Sequence, residues 1–292
     1  MSLWHGKSKG NKTGYQVFVW ILKTFGVRPA YLLLRFVAFY YFLFSFKASR
    51  QIYSLYRRRL GFSRLKAIAK IYTNYYLLGQ CIIDKVVVMS GIPNQFTYNF
   101  DGEENLKEIA ALQKGGILLS AHIGNWDIAG HLLKRLDATI NILMFDGEQK
   151  QIKEYLATVT GKKFINIIFI KDDLSHIYEI SDAFKKNELV CMHADRFLEG
   201  TKTTITNFLG APARFPIGPF VLANMFKVPV SFVFAVKEGS LHYHFFASKI
   251  KNYQGLQKKI VLQQMLQEFA GEMEMTVKKY PEQWFNYYNF WT

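Results

Sequence analysis

Five short apolar runs, separated by stretches of helical character, constrain this 292-residue chain more than any other feature. They read "GILLSAH" (116–122), "TINILMF" (139–145), "FINIIFI" (164–170), "ELVCMHAD" (188–195) and "VPVSFVFAV" (228–236). Each has the length of a strand and too little polar alternation to face water on one side, so each reads as a strand covered on both faces. Helical spacing is expected at about 126–136, 148–160 and 174–186, between the first four runs. Strands alternating with helices predict an α/β fold, with a mixed central sheet flanked by helices. The last run and "LHYHFFASKI" (241–250) read as a strand pair. Upstream, 62–90 repeats apolar residues at helical spacing, 91–106 holds a turn and a short strand, and Glu103 to Gln113 reads as a helix closed by Lys114-Gly115-Gly116. A long amphipathic helix is expected over 254–279, and 61–292 is read as one α/β domain.

Residues 1–60 differ in character. A polar, basic start (Lys7, Lys9, Lys12) precedes "YQVFVWILKTFGVRPAYLLLRFVAFYYFLFSF" at 15–46, broken only by Lys23, Arg28 and Arg35. No small-residue cleavage site follows, which argues against a secretory signal. The run 29–46 falls short of the ~20 apolar residues of a clean span, and it carries Arg35. Lys47, Arg50 and Arg57-Arg58-Arg59 come next, so basic residues flank it on both sides. A basic, aromatic-rich segment of this kind is expected to lie on or dip into a membrane surface rather than cross it. With 37 Lys plus Arg against 22 Asp plus Glu, the chain carries +15, which suits an anionic membrane surface or an acidic partner. No nucleic-acid motif accompanies the charge.

Two distant cysteines, Cys81 and Cys191, lie in apolar surroundings and are expected to be buried thiols. His5, His131, His176, His242 and His244 lack the spacing of a metal site, so no metal or other cofactor is expected.

The chemistry-bearing residues gather where strands should end, and in α/β sheets ligands bind at the carboxyl ends of strands. His122 closes "GILLSAH", and Asp127 follows five residues later, across Gly124 and the potential N-cap Asn125. A histidine there can take a proton from a hydroxyl or amine near neutral pH, with the carboxylate fixing its tautomer. The same residues could equally be a core histidine and a helix-capping aspartate. Backbone N–H groups near Gly124 and Asn125, or a cation, are candidates for holding an oxyanion. A second group follows the strand at 188–195: Asp195, Arg196, Glu199, Gly200, Thr201, Lys202 and Arg214. Glycines there admit a ligand to the backbone, and the cations suit phosphate, although a solvated basic loop would look the same.

These blocks, in order, resemble the lysophospholipid acyltransferase superfamily. His122-Ile-Gly-Asn-Trp-Asp127 is similar to its His-x4-Asp/Glu block, Phe197-Leu-Glu199-Gly200-Thr201-Lys202 to its Phe-Pro-Glu-Gly-Thr-Arg block, and Val228-Pro229-Val230 to its Val-Pro-Val segment. "YPEQWFNYYNFW" (280–291) looks like the segment that closes the bacterial lipid A late acyltransferase branch. The resemblance implies transfer of an acyl chain from a thioester, acyl-acyl carrier protein or acyl-CoA, to a membrane lipid acceptor. It implies His122 as base, Asp127 as its partner, and a site on the cytoplasmic face of the bacterial inner membrane, reached peripherally or by a single pass. No enzyme nucleophile, metal or redox cofactor is implied. Two departures bear on the acceptor. Asp146-Gly147-Glu148 stands where the branch carries an arginine, and His193-Ala194-Asp195-Arg196 stands where it shows Asp-x-Asp-x-Gly. A thioester or lipid hydrolase and a non-catalytic membrane scaffold are the alternatives.

Overall fold

In a computed structural model, which describes residues 12–128, 138–145, 165–171, 173–197, 200–253 and 258–291, the apolar runs become the middle of a single sheet. The strands are β1 (Thr97–Asp101), β2 (Gly116–Ser120), β3 (Ile140–Phe145), β4 (Ile165–Ile170), β5 (Leu189–His193), β6 (Thr203–Phe208), β7 (Ala211–Pro216), β8 (Val230–Lys237) and β9 (His242–Ala247). Seven of them form one sheet in the order β1-β9-β8-β2-β5-β3-β4. Strands β8, β2, β5, β3 and β4 run parallel to one another. Strand β9 turns back antiparallel to β8 and takes β1 parallel to itself, which makes the sheet mixed. All five residues of β2 are buried, as its unbroken apolar sequence requires.

The described helices are α1 (Lys12–Phe25), α2 (Val27–Phe44), α3 (Phe46–Ser54), α4 (Arg64–Met89), α5 (Glu103–Ala111), α6 (His176–Lys185), α7 (Gly218–Phe226) and α8 (Lys258–Lys279). Helix α4 starts where the Ser63 hydroxyl accepts the Lys66 N–H, a cap worth about 1 kcal/mol. Residues 126–128 are helical; the rest of the helix expected to 136, all of that at 148–160, and 254–257 of that at 254–279 lie outside the described residues.

Part of the stretch that could have been a basic loop is regular instead. Strands β6 and β7 pair as an antiparallel hairpin turned by Leu209 and Gly210, both at positive φ, and α7 follows. Leu-Gly is not among the usual two-residue hairpin turns, which favour Asn-Gly or Asp-Gly, so the sequence carried little turn signal. The buried inner face of the hairpin, Phe208 and Phe215, packs on Phe290, and Phe208 also packs on Trp284.

One helix among the described residues, Val27–Phe44, is long and apolar enough to cross a membrane, with a mean hydropathy of 1.3. Its Val27, Ala30, Tyr31, Leu34 and Ala38 are buried. Leu34 lies against Gly79 of α4, where an added Cβ would stand 2.3 Å from a Leu34 methyl. The opposite side exposes Leu32, Phe36, Phe39, Tyr40, Leu43 and Phe44. Tyr56, just past α3, is fully buried in the same core cluster as β2.

Candidate active site

Sheet register brings the key side chains together. Ser120 of β2 is paired with His193 of the adjacent parallel β5. His122 and Asp195 each lie two residues beyond that pair, so both chains deliver a polar residue to the same carboxyl edge. The His122 Nδ1 is 2.7 Å from Asp195 Oδ1, and the His122 backbone N–H donates to Asp195 Oδ2 at 3.1 Å. Trp284 Nε1 also donates to Asp195 Oδ2, at 3.2 Å, and the Tyr288 hydroxyl donates to the Asp195 carbonyl at 2.9 Å. The carboxylate, 1% exposed, therefore sits in a ring of donors, while the His122 side chain keeps 13% of its surface. With Nδ1 committed to Asp195, Nε2 is the ring nitrogen left to meet a substrate.

Burial lowers the His122 pKa from its ordinary value, the Arg196 charge lowers it further, and Asp195 opposes both. Burial acts to raise the Asp195 carboxyl, but the His122 ring, Arg196 and His193 outweigh it and hold the group well below the usual carboxylate range. Both shifts favour a neutral imidazole beside an ionised carboxylate, the state a general base needs.

Asp127, expected from the sequence to partner His122, stands elsewhere: its Oδ1 is 3.1 Å from Lys85 Nζ of α4. Its charge reaches His122 only as the smallest of the named influences on that ring. Asn125 is 2% exposed and spends its amide group on the Cys81 carbonyl (2.9 Å) and the Tyr243 hydroxyl (3.2 Å). The two backbone donors suggested for an oxyanion are also taken. Gly124 N–H donates to the Gln283 carbonyl at 2.8 Å and Asn125 N–H to the Ala235 carbonyl at 2.7 Å. Gly124 is required there: φ is +65°, and a Cβ would lie 1.9 Å from the Ala235 oxygen.

Of the second group, Arg196 is half-buried beside the dyad, and its Nη2 donates to the Phe285 carbonyl. Gly200, Thr201 and Lys202 are exposed at the entry to the β6–β7 hairpin, and Arg214 is exposed on β7 opposite Ile205. Glu199 lies outside the described residues. Cys81 is buried as expected, and burial pushes the Cys191 thiol up to about 12, so neither is a poised nucleophile.

Two residues without an assigned role complete the surroundings. The His193 ring lies 4.4 Å from that of His122, centre to centre, and Trp126 packs edge-on against both. Burial holds His193 well below the ordinary histidine value, and its Nδ1 has no hydrogen-bond partner among the described residues. His122, His193 and Asp195 offer three donor atoms within 4.8 Å of one another, the set a metal would use. The 2.7 Å between His122 Nδ1 and Asp195 Oδ1 is a hydrogen-bond distance. It is shorter than the ~3.3 Å that separates two ligands placed about 2 Å from a tetrahedral zinc. As built, that pair shares a proton.

The "PEQW" segment locks the site from the other side. Phe285 N–H donates to the His122 carbonyl at 3.0 Å, and Ile123 bridges Trp284 in antiparallel fashion. Asn74 of α4 donates to the Glu282 carbonyl at 2.9 Å, and Tyr287 donates back to Asn74.

The family described as "Bacterial lipid A biosynthesis acyltransferase" matches residues 67–292. Phosphatidylinositol mannoside acyltransferases from two strains of Mycobacterium tuberculosis are similar over 123 residues, at 26% and 25% identity, covering 42% of this chain. The match spans 39% of the length of those relatives. Among solved structures, the 1-acyl-sn-glycerophosphate acyltransferase PlsC from Thermotoga maritima aligns over 85% of this chain and 97% of its own, with 14% identity and a TM-score of 0.38.

Proposed function

Because the chain belongs to the bacterial lipid A biosynthesis acyltransferase family, we propose that it transfers an acyl chain from a thioester donor to a hydroxyl or amine of a membrane lipid, with His122 as general base. The hydrogen bond from the His122 ring to the buried, ionised Asp195 carries this reading. His122 Nε2 takes the proton of the acceptor as its oxygen or nitrogen attacks the thioester carbonyl. The tetrahedral intermediate collapses by breaking the C–S bond, and the departing thiolate takes that proton from His122. Asp195 keeps the proton on Nδ1 and stabilises the imidazolium between the two steps. Arg196, whose charge is felt at the ring, is the candidate to offset the oxyanion, since the Gly124 and Asn125 N–H groups are spent. Lys202 and Arg214 are candidates for the acidic groups of a donor or acceptor. A net +15 suits acyl-acyl carrier protein, an acidic donor, and the anionic leaflet alike.

The test is direct. Purified protein, labelled acyl thioester and bacterial lipid extract should yield an acylated lipid found by mass spectrometry, with thioester loss dependent on the lipid. Thioester loss at the same rate without lipid would instead make the protein a hydrolase.

The membrane side of the proposal rests on α2. One face is buried in the protein and the other is a row of exposed aromatics flanked by exposed Lys23, Arg28, Arg35, Lys47 and Arg50. A helix already docked along one side fits a position lying in the interface better than a span. Phe36, 70% exposed, should insert among lipid tails. Phe36→Ser is expected to weaken binding to anionic vesicles by about tenfold, the effect of losing part of one Phe burial. Co-sedimentation reads it; binding unchanged by this and by Phe39→Ser would remove α2 from the interface.

A further inference from the structure

Behind the His122 loop lies a buried charge pair that the proposed chemistry does not use. Lys237, the last residue of β8, ion-pairs with Asp84 of α4, and their side chains are 1% and 0% exposed. Taking two charges out of water costs several kcal/mol per ion before their attraction repays it, and apolar residues of similar size are often as stable. A pair kept there is poor evidence for stability, and its connections point to another use.

Those connections run to the catalytic loop by two routes. The Tyr243 hydroxyl donates to Asp84 Oδ2 and accepts the Asn125 amide at 3.2 Å, three residues from His122. On the other route the Gln283 side chain clamps the Lys237 backbone, accepting its N–H at 2.7 Å and donating to its carbonyl at 2.8 Å. The Gln283 carbonyl in turn accepts the Gly124 N–H. A third branch leaves the pair in the opposite direction. Tyr31 of α2 donates to Asp84 and accepts from Lys237 Nζ at 2.9 Å. Tyr31 is on the buried face of the helix whose other face is the exposed aromatic row.

We propose that the Asp84–Lys237 pair is a positioning device for His122, fixing the loop 122–125 through Tyr243, Asn125 and Gln283, and that Tyr31 ties this device to the seating of α2. The inference rests on the reading of His122 as the base. Low-dielectric surroundings make such a network stiff when its polar groups are paired, as these are. Catalytic geometry is intolerant of small shifts, so loosening the network should reach the reaction rate before it reaches substrate binding.

The test separates positioning from folding. Asp84→Asn alone strands a buried ammonium and risks unfolding the chain, so the decisive variant is Asp84→Leu with Lys237→Met, which removes both charges. This double variant is expected to stay folded, with its thermal midpoint close to that of the parent. Its kcat should fall about 10- to 100-fold with KM for the lipid acceptor little changed. The imidazole nitrogen shifts of His122 in nitrogen-15 NMR should broaden or move toward mixed tautomers. Tyr31→Phe should give a smaller fall in kcat with vesicle binding intact. A folded double variant with parental kcat and an unaltered His122 spectrum would overturn the proposal. So would a kcat loss that simply tracks the folded fraction. If His122→Ala is itself fully active, the reading of the base has failed; if His122→Ala is dead and the double variant is not, only the positioning inference has failed.

Discussion

His122→Ala is expected to lower acyl transfer by about 10³-fold, within the range for removal of a positioned base. Membrane binding should be untouched, because the ring packs on Trp126, His193 and Asp195 rather than on α1 to α3. The parent's pH profile should carry the signature of the same ring. A base must be neutral to act, and burial and Arg196 depress the His122 pKa below its ordinary value. The rate should therefore hold steady as pH falls through the ordinary histidine range of about 6.5 and decline only below it. A rate that falls from pH 8 downward would mean that another group is the base. Steady-state kinetics from pH 5 to 8 with a stable thioester decides the matter.

Asp195→Asn should cost a comparable amount, about 10²- to 10⁴-fold in kcat, because an amide can present its NH2 to Nδ1 and turn the proton to the wrong nitrogen. The acid limb should also move to still lower pH, since Asp195 is among the groups that raise the His122 pKa. Asp127→Asn is the control. It loses the ion pair to Lys85 at a site 28% exposed, and its effect on kcat should stay within a few-fold, as for partly exposed pairs generally. If the ranking were reversed, with Asp127→Asn severe and Asp195→Asn mild, the assignment of the orienting carboxylate would be wrong. Kinetics of the two variants side by side, with circular dichroism to confirm folding, provides the measurement.

The contrast between these two aspartates explains what the sequence could and could not convey. The strands of the sheet were legible because five apolar runs repeat one local pattern, and His122 was legible because it closes one of them. Its partner was assigned by proximity along the chain, where Asp127 is five residues away and Asp195 is seventy-three. Only the pairing of β2 with β5 makes the distant residue the near one, and strand order is a non-local property. The place of Asp195 after a strand makes it a ligand-binding candidate in the sequence; in the structure it lies at that edge, against the His122 ring. Asn125 shows the converse. Its backbone N–H is a candidate for an oxyanion in the sequence, yet that N–H meets the Ala235 carbonyl and the side chain is enclosed by α4 and β9. Asp84 and Lys237 leave only a faint trace, as charges in the apolar stretches "CIIDKVVV", which also holds Lys85, and "VSFVFAVK"; nothing there names either one's partner. The β6–β7 hairpin left less, because its turn is Leu-Gly and its outer face is only partly polar.

The dependence of Asp195 on Trp284 and Tyr288 has a consequence for the order of events during synthesis. The imidazole, its carboxylate and the strands beneath them are all translated before residue 280, yet the Trp284 donor to the carboxylate, the Tyr288 donor to the Asp195 carbonyl and the clamp on the His122 carbonyl come from 284–288. The aromatic amphipathic helices emerge from the ribosome first and can reach a bilayer while the rest is still being made. On the proposed reading of His122, the nascent polypeptide would then reach a bilayer without acyl-transfer activity, which would begin only when this late-translated strap closes over the imidazole.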